Sequence, residues 1–133
     1  MKLVTFDAGR VGRLEDDVVI ELDCASTREW FERGGQADET GDRLPLADVR
    51  LRAPIVPKKF FHTAGNFADH HEELQAVDWS HPVHKGIVFF QNVDAIIGPD
   101  DAIVYPEGLT KELDYELELA IIIGRSGKFF GPD

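Results

Sequence analysis

Apolar and polar residues alternate along this chain in short stretches, and that two-residue period predicts strands rather than long helices. Lys2–Phe6 alternates, and residues 10–14 and 18–22 flank the acidic turn Glu15-Asp16-Asp17, which predicts a β-hairpin. Ser26-Thr27-Arg28-Glu29 has the S-x-x-E form of a capping box. It predicts a short helix over 27–33, stopped by Gly34-Gly35. Residues 36–45 are polar and predict a loop, and 46–52 resume alternation between prolines. Further on, 59–63 predicts a strand, Ala64-Gly65-Asn66 a turn and 69–77 a helix. Residues 87–90, 95–97, 103–104 and 115–123 are further strand candidates, separated by turn-forming clusters such as Gly98-Pro99-Asp100-Asp101. The expected fold class is mixed α+β, mostly β. The expected domains are a small β-rich unit over 1–50 and a second unit over 51–133. Gly131-Pro132-Asp133 resembles the entry to a helix, so the chain is expected to be a truncated piece of a longer one.

Composition narrows the classes of function. Of 133 residues 43% are hydrophobic, enough for one domain or a small pair. Asp and Glu number 25 against 14 Lys and Arg, a formal net charge of −11. A nucleic acid or an anionic membrane needs a basic patch, so neither is expected as a partner. A single cysteine, Cys24, excludes an intrachain disulfide and is expected to be a buried small hydrophobe. The N-terminus lacks the pattern of a signal peptide, and no apolar run approaches the ~20 residues needed to span a bilayer. A cytoplasmic location is the expectation.

Two groups could carry chemistry. Residues 113–124 read LDYELELAIIIG, placing Asp114, Glu116 and Glu118 at every second position before an apolar run. In a strand, side chains two apart share a face and lie about 6.5–7 Å apart at Cα. Long glutamates at that spacing can converge on one hard divalent cation. Judged on spacing alone, a strand with a wet acidic face is the favoured reading, because E-x-E is common. The second group is Asn66-Phe67-Ala68-Asp69-His70-His71-Glu72-Glu73. In a helix beginning near Ala68, His70 and Glu73 lie three apart on one face, where a carboxylate can orient an imidazole as general base. A charged first helical turn explains the same residues. His62 is expected to pack in the core or at an edge, and His81 and His84 at the surface. Phe60, Phe61, Phe67, Phe89 and Phe90 are expected in the core.

The order AGNFADHHEE, IVFFQNVDAIIGPDDAIVYPEG and LDYELELAIIIG resembles the N-terminal half of the fumarylacetoacetate hydrolase family. The resemblance covers the chain and is strongest over 60–124. It implies a β-fold catalytic domain and a cofactor of Mg²⁺ or Mn²⁺, with Ca²⁺ in some members. Glu116 and Glu118 would be metal ligands and Asp114 a bystander; His70 would be the general base, Glu73 its orienting partner, and Asn66 a substrate contact. The substrate would be a small 2-oxo or 1,3-dicarbonyl acid, with the ion chelating adjacent oxygens and stabilising the developing enolate. Hydrolysis of a C–C bond is the expected reaction; isomerisation or decarboxylation in the same family is the alternative, and a non-catalytic acidic interaction module another. Full-length members are usually dimers, so the resemblance implies a homodimer for the full-length form. The family's third metal ligand, an Asp of an N-D-x-x-A-R-D-like segment, has no counterpart here, and Gln91 stands where many members have Lys. A fragment inactive on its own is therefore expected.

Overall fold

The computed structural model describes residues 1–65, 67–69, 72, 76 and 87–131. The chain divides into two compact units, Met1–Ile55 with Ile97–Asp133, and Val56–Ile96. As expected, the described residues are mostly β, with a short helix in the first unit.

The first unit is built on an antiparallel meander of β1 (Lys2–Phe6), β2 (Arg10–Glu15), β3 (Val18–Leu22) and β4 (Glu39–Pro45), in that order across the sheet. The β1–β2 turn places Asp7 at φ 49 and Gly9 at φ 101, and Asp16 takes φ 49 between β2 and β3. Asp and Gly tolerate this left-handed backbone, which suits tight hairpin turns. Register sets the faces. Phe6, Gly12 and Val19 share one face; Val11, Ile20 and Leu22 share the other. These five hydrophobic residues form the core of the unit, with Thr27, Gly12 and Gly98 also buried. Gly12 is required by the packing. A Cβ there would sit 2.5 Å from Val19 Cγ1 and 3.2 Å from Phe6 Cε1, inside van der Waals contact. The absent side chain is what lets Phe6 and Val19 close over the strand.

Helix α1 (Thr27–Glu32) follows the capping signal. The Glu29 N–H donates to Ser26 Oγ at 3.1 Å, while Glu29 Oε2 accepts from the Ala25 N–H at 2.6 Å, one residue before the usual box partner. Gly34 and Gly35 turn the chain at φ 74 and 83, and their N–H groups satisfy the Phe31 and Trp30 carbonyls. A hydroxyl–hydroxyl bond of 2.7 Å joins Thr27 to Thr5 and ties the helix to β1.

Three expectations are corrected. Residues 36–45 contain β4 rather than a loop. Its sequence, ETGDRLP, is nearly all polar because it is an exposed edge strand, so hydrophobic alternation is missing where backbone pairing is present. Residues 103–104 and 115–123 are not strands, and 93–95 form a 3-10 turn in place of the start of a 95–97 strand. Apolar runs specify strands only where a partner edge can pair with them, and none of these runs has a ladder here. Cys24 is half-buried rather than buried.

In the second unit, β5 (Phe60–Ala64) pairs antiparallel with β6 (Ile87–Gln91), from Phe60↔Gln91 to Ala64↔Ile87. The Phe61 and Phe90 rings lie 4.5 Å apart, and His62 lies 4.7 Å from Phe60 and 5.6 Å from Phe89. The aromatic cluster is not a closed core as described. Phe61, Phe89 and Phe90 are exposed, because a two-stranded ribbon cannot cover both of its own faces, and Phe67, outside the ribbon, is exposed as well. The expected helix over 69–77 and the loop carrying His81 and His84 lie largely or wholly outside the described residues.

Candidate metal-ligand segment

The segment bearing the paired glutamates is reached through two ordered turns. Gly98–Asp101 is the first: the Asp101 N–H donates to the Gly98 carbonyl at 3.2 Å, and Asp101 Oδ2 accepts from the Gly98 N–H at 2.8 Å. Pro106 begins the second. Its carbonyl accepts from Leu109 at 2.8 Å and from Thr110 at 3.3 Å, and Tyr105 Oη donates to the Thr110 carbonyl at 3.0 Å. Thr110 Oγ1 then accepts from the Glu112 N–H at 3.0 Å.

Residues 112–124 follow without regular secondary structure. Glu116 and Glu118 lie here, both exposed. Asp114 turns back on the backbone, accepting from the Tyr115 N–H at 2.8 Å. The apolar run was expected to form a buried strand holding the glutamates still. Instead Leu117 is 98% exposed and Leu119 86%. Among the described residues the run makes no ladder and is exposed, so the same-face spacing of the glutamates is not enforced by a sheet.

Two carboxylates suit a hard divalent cation in donor type. They do not complete a site in number: among the described residues no three His, Cys, Asp or Glu side chains gather so that they could hold a metal. Asn66, His70 and Glu73 lie outside the described residues. Two open grooves are seen among the described residues of the first unit, of about 650 and 360 Å³, and neither includes Glu116 or Glu118.

Sequence reasoning missed the electrostatic work of Asp101 and Glu21. Hydrogen bonds from the Gly98 N–H and then the Arg50 guanidinium hold the Asp101 carboxyl below its ordinary range. Arg10 Nε donates to Glu21 Oε1 at 2.7 Å, and this bond holds Glu21 low and Arg10 high against the opposing cost of desolvation. The G-P-D-D turn was a visible signal for Asp101 capping Gly98. Its partner Arg50 left no local signal, being 51 positions away.

This ordered path to an acidic E-x-E segment, beside a small β meander, corresponds to a known class. Residues 59–132, more than half of the chain, match the family model described as fumarylacetoacetate (FAA) hydrolase C-terminal, and residues 1–54 match that described as Rv2993c-like, N-terminal. The chain belongs to the fumarylacetoacetate hydrolase family. It is 29% identical, over 96% of its length and 48% of the relative's, to the fumarylacetoacetate hydrolase domain-containing protein 2 homolog of Dictyostelium discoideum. It is 42% identical to protein Rv2993c of Mycobacterium tuberculosis, over 67% of this chain and 32% of that one. It is 39% identical to the mitochondrial oxaloacetate tautomerase FAHD2A of Bos taurus, over 65% and 26% respectively. A solved structure of an uncharacterized protein from Mycobacterium abscessus matches with a TM-score of 0.57 and 28% identity, over 80% of this chain and 39% of that one. The chain spans about half the length, or less, of these relatives. Among the described residues no helix is long and apolar enough to cross a membrane.

Proposed function

We propose that this chain supplies part of a divalent-metal-dependent enzyme acting on C–C bonds of a small 2-oxo or 1,3-dicarbonyl acid, of the acylpyruvate or fumarylacetoacetate type. In this reading 1–50 is a small N-terminal domain and 51–133 the start of the catalytic one. The observation that carries it is the family match over 59–132, which contains both Glu116 and Glu118. These two carboxylates would hold Mg²⁺ or Mn²⁺. A cation bound there would act as a Lewis acid on neighbouring substrate oxygens. His70 would take a proton from the attacking water, with Glu73 fixing its tautomer. Asn66 would orient the substrate by hydrogen bonding. The assembled enzyme would be a dimer in the cytoplasm.

Tautomerisation is a second reading, favoured by the mammalian relatives named as oxaloacetate tautomerases. It needs the same carboxylates and a proton carrier but no attacking water. With only two carboxylate ligands in this segment, the chain alone is expected to turn over neither class of substrate.

Calorimetric titration with Mn²⁺ tests the reading. Weak binding is expected, lost when Glu116→Ala and Glu118→Ala are combined. Equal affinity in the wild type and the double variant would sink it. An acylpyruvate cleavage assay run beside an oxaloacetate enol–keto absorbance assay separates the two reactions once the ligand set is complete.

A further inference from the structure

We infer that Asp101 is a positioning residue: its carboxylate clasps the Gly98–Asp101 turn onto the N-terminal meander and so mounts the segment that leads to Glu116 and Glu118. The metal part of this inference rests on the reading proposed above; the clasp itself does not.

The meander first prepares a seat. Beyond β4 the chain returns alongside the end of β1. The Arg52 N–H donates to the Thr5 carbonyl at 2.8 Å, and the Asp7 N–H to the Arg50 carbonyl at 2.8 Å. Asp7 Oδ1 accepts from the Arg50 N–H at 2.9 Å, and Arg52 Nε donates to the Asp7 carbonyl at 2.7 Å. Thr5 Oγ1 donates to the Pro54 carbonyl at 2.9 Å. Residues 50–54 are thus held at both backbone and side chain.

The Gly98 turn rests on that seat. Gly98 is buried, and a Cβ on it would lie 3.2 Å from Arg52 Cα, 3.2 Å from the Leu51 carbonyl oxygen and 3.1 Å from Asp101 Oδ2. A side chain at this position would push these neighbours back by a few tenths of an ångström, so glycine suits the close approach. Ile97 and Pro99 line a groove together with Leu3, Val4, Leu51 and Pro54. Both oxygens of Asp101 are then used. Oδ2 accepts the Gly98 N–H from within the turn; Oδ1 accepts from Arg50 Nη2 at 2.5 Å, from the seat. One carboxylate therefore closes the turn and fastens it. Charge assistance strengthens both bonds, and the depressed Asp101 titration has the same origin.

The position gives the clasp its consequence. Ile97 is where the chain re-enters the first unit after Val56–Ile96. From Asp101 to the glutamates the path holds a second closed turn, at Pro106–Thr110, so the clasp is the first fixed point of a partly ordered arm.

Hydrogen exchange on the full chain tests the clasp. In Asp101→Ala, the amides of Gly98 and Asp101 and the 97–112 peptide are expected to exchange about tenfold faster or more, with β1–β3 protection unchanged. Asp101→Asn keeps an acceptor for Gly98 but loses the charge that Arg50 meets, and is expected to fall between. Arg50→Ala, which leaves the turn's own bonds intact, keeps the test open if Asp101→Ala does not fold, with faster exchange again expected over 97–112. Unchanged exchange in all three variants, or equal loss of protection over β1–β3, would overturn the clasp. Mn²⁺ titration of the same variants tests the mounting. Affinity several-fold weaker than wild type supports it; unchanged affinity in a variant whose clasp has opened overturns it. Absence of Mn²⁺ binding by the wild type would instead defeat the metal reading and leave the exchange result to decide the clasp.

Discussion

The β1–β3 meander and residues 112–124 begin from the same pattern, apolar residues at every second position, and end in opposite states. In the meander each strand finds an antiparallel neighbour, and Phe6, Val11, Val19 and Ile20 lose essentially all contact with water. Among the described residues no strand lies alongside 112–124, and Leu117 keeps almost all of its surface exposed. A two-residue period thus states a requirement for a partner edge and a facing surface; it does not supply them. The meander meets the requirement locally, through tight turns at Asp7–Gly9 and Asp16-Asp17. Among the described residues, those adjacent in sequence to the glutamate segment form no hairpin partner for it.

The largest expected difference between the two regions is in the cost of deleting a side chain. Phe6 is 0% exposed, packs against Val19 across Gly12, and carries the Arg10 guanidinium 4.9 Å above its ring. Phe6→Ala removes a whole buried ring and leaves a cavity, so a loss of about 3–5 kcal/mol is expected. Urea or thermal unfolding of the full chain measures it. A loss below about 1 kcal/mol would mean that the meander is no better packed than the glutamate segment.

The next effect concerns a carboxylate of the meander. Glu21 is fastened by Arg10 and by the Thr40 hydroxyl at 3.2 Å, with Asp42 3.3 Å from the same guanidinium. Its folded titration is depressed, mainly by the Arg10 bond. Stability from such a group is fully present above the ordinary glutamate value of about 4.3 and is lost as pH falls through the folded value. Glu21→Gln is expected to lower the thermal midpoint near neutral pH, by less than Phe6→Ala does. The difference from wild type should narrow as pH falls below the ordinary glutamate value and through the lower folded one. A gap that stays constant down to acid would show that Glu21 acts through packing rather than charge.

What was legible in the sequence follows the same division. The strands β1–β3 and the Ser26 cap of α1 are local: their turns, periods and caps lie within a few residues of one another. Strand β4 was not legible, because an exposed edge strand is specified by backbone pairing to β3 and its polar side chains carry no hydrophobic signal. The Arg50–Asp101 pair was not legible either, since contact between distant positions leaves no trace in spacing. Glu116 and Glu118 stood out as a pair, but their spacing fits a wet surface as well as a metal site. Only the joint pattern with the His70 turn distinguished them, and His70 lies outside the described residues. The strand expected around them failed for a physical reason: burial requires a second surface, and the sequence of one segment cannot state where that surface is.

The smallest expected effect bears most directly on this point. Leu117→Ser replaces a large apolar side chain between the two glutamates with a small polar one. In a buried strand such a change would cost several kcal/mol through lost burial and an unpaired hydroxyl. Leu117 is exposed, so the expected change in unfolding free energy of the full chain is within about 0.5 kcal/mol of zero. Solubility should improve, because the variant interrupts an apolar, β-prone run. Sedimentation velocity at several concentrations reads the second effect and denaturant unfolding the first. A loss approaching that of Phe6→Ala would mean that Leu117 packs against something in solution, and the contrast between the regions would collapse. A null result in unfolding together with reduced self-association would locate the missing partner outside the 133-residue fold itself: the run would then gain stability only when another strand is laid against it, and the glutamates it carries would become fixed at that moment.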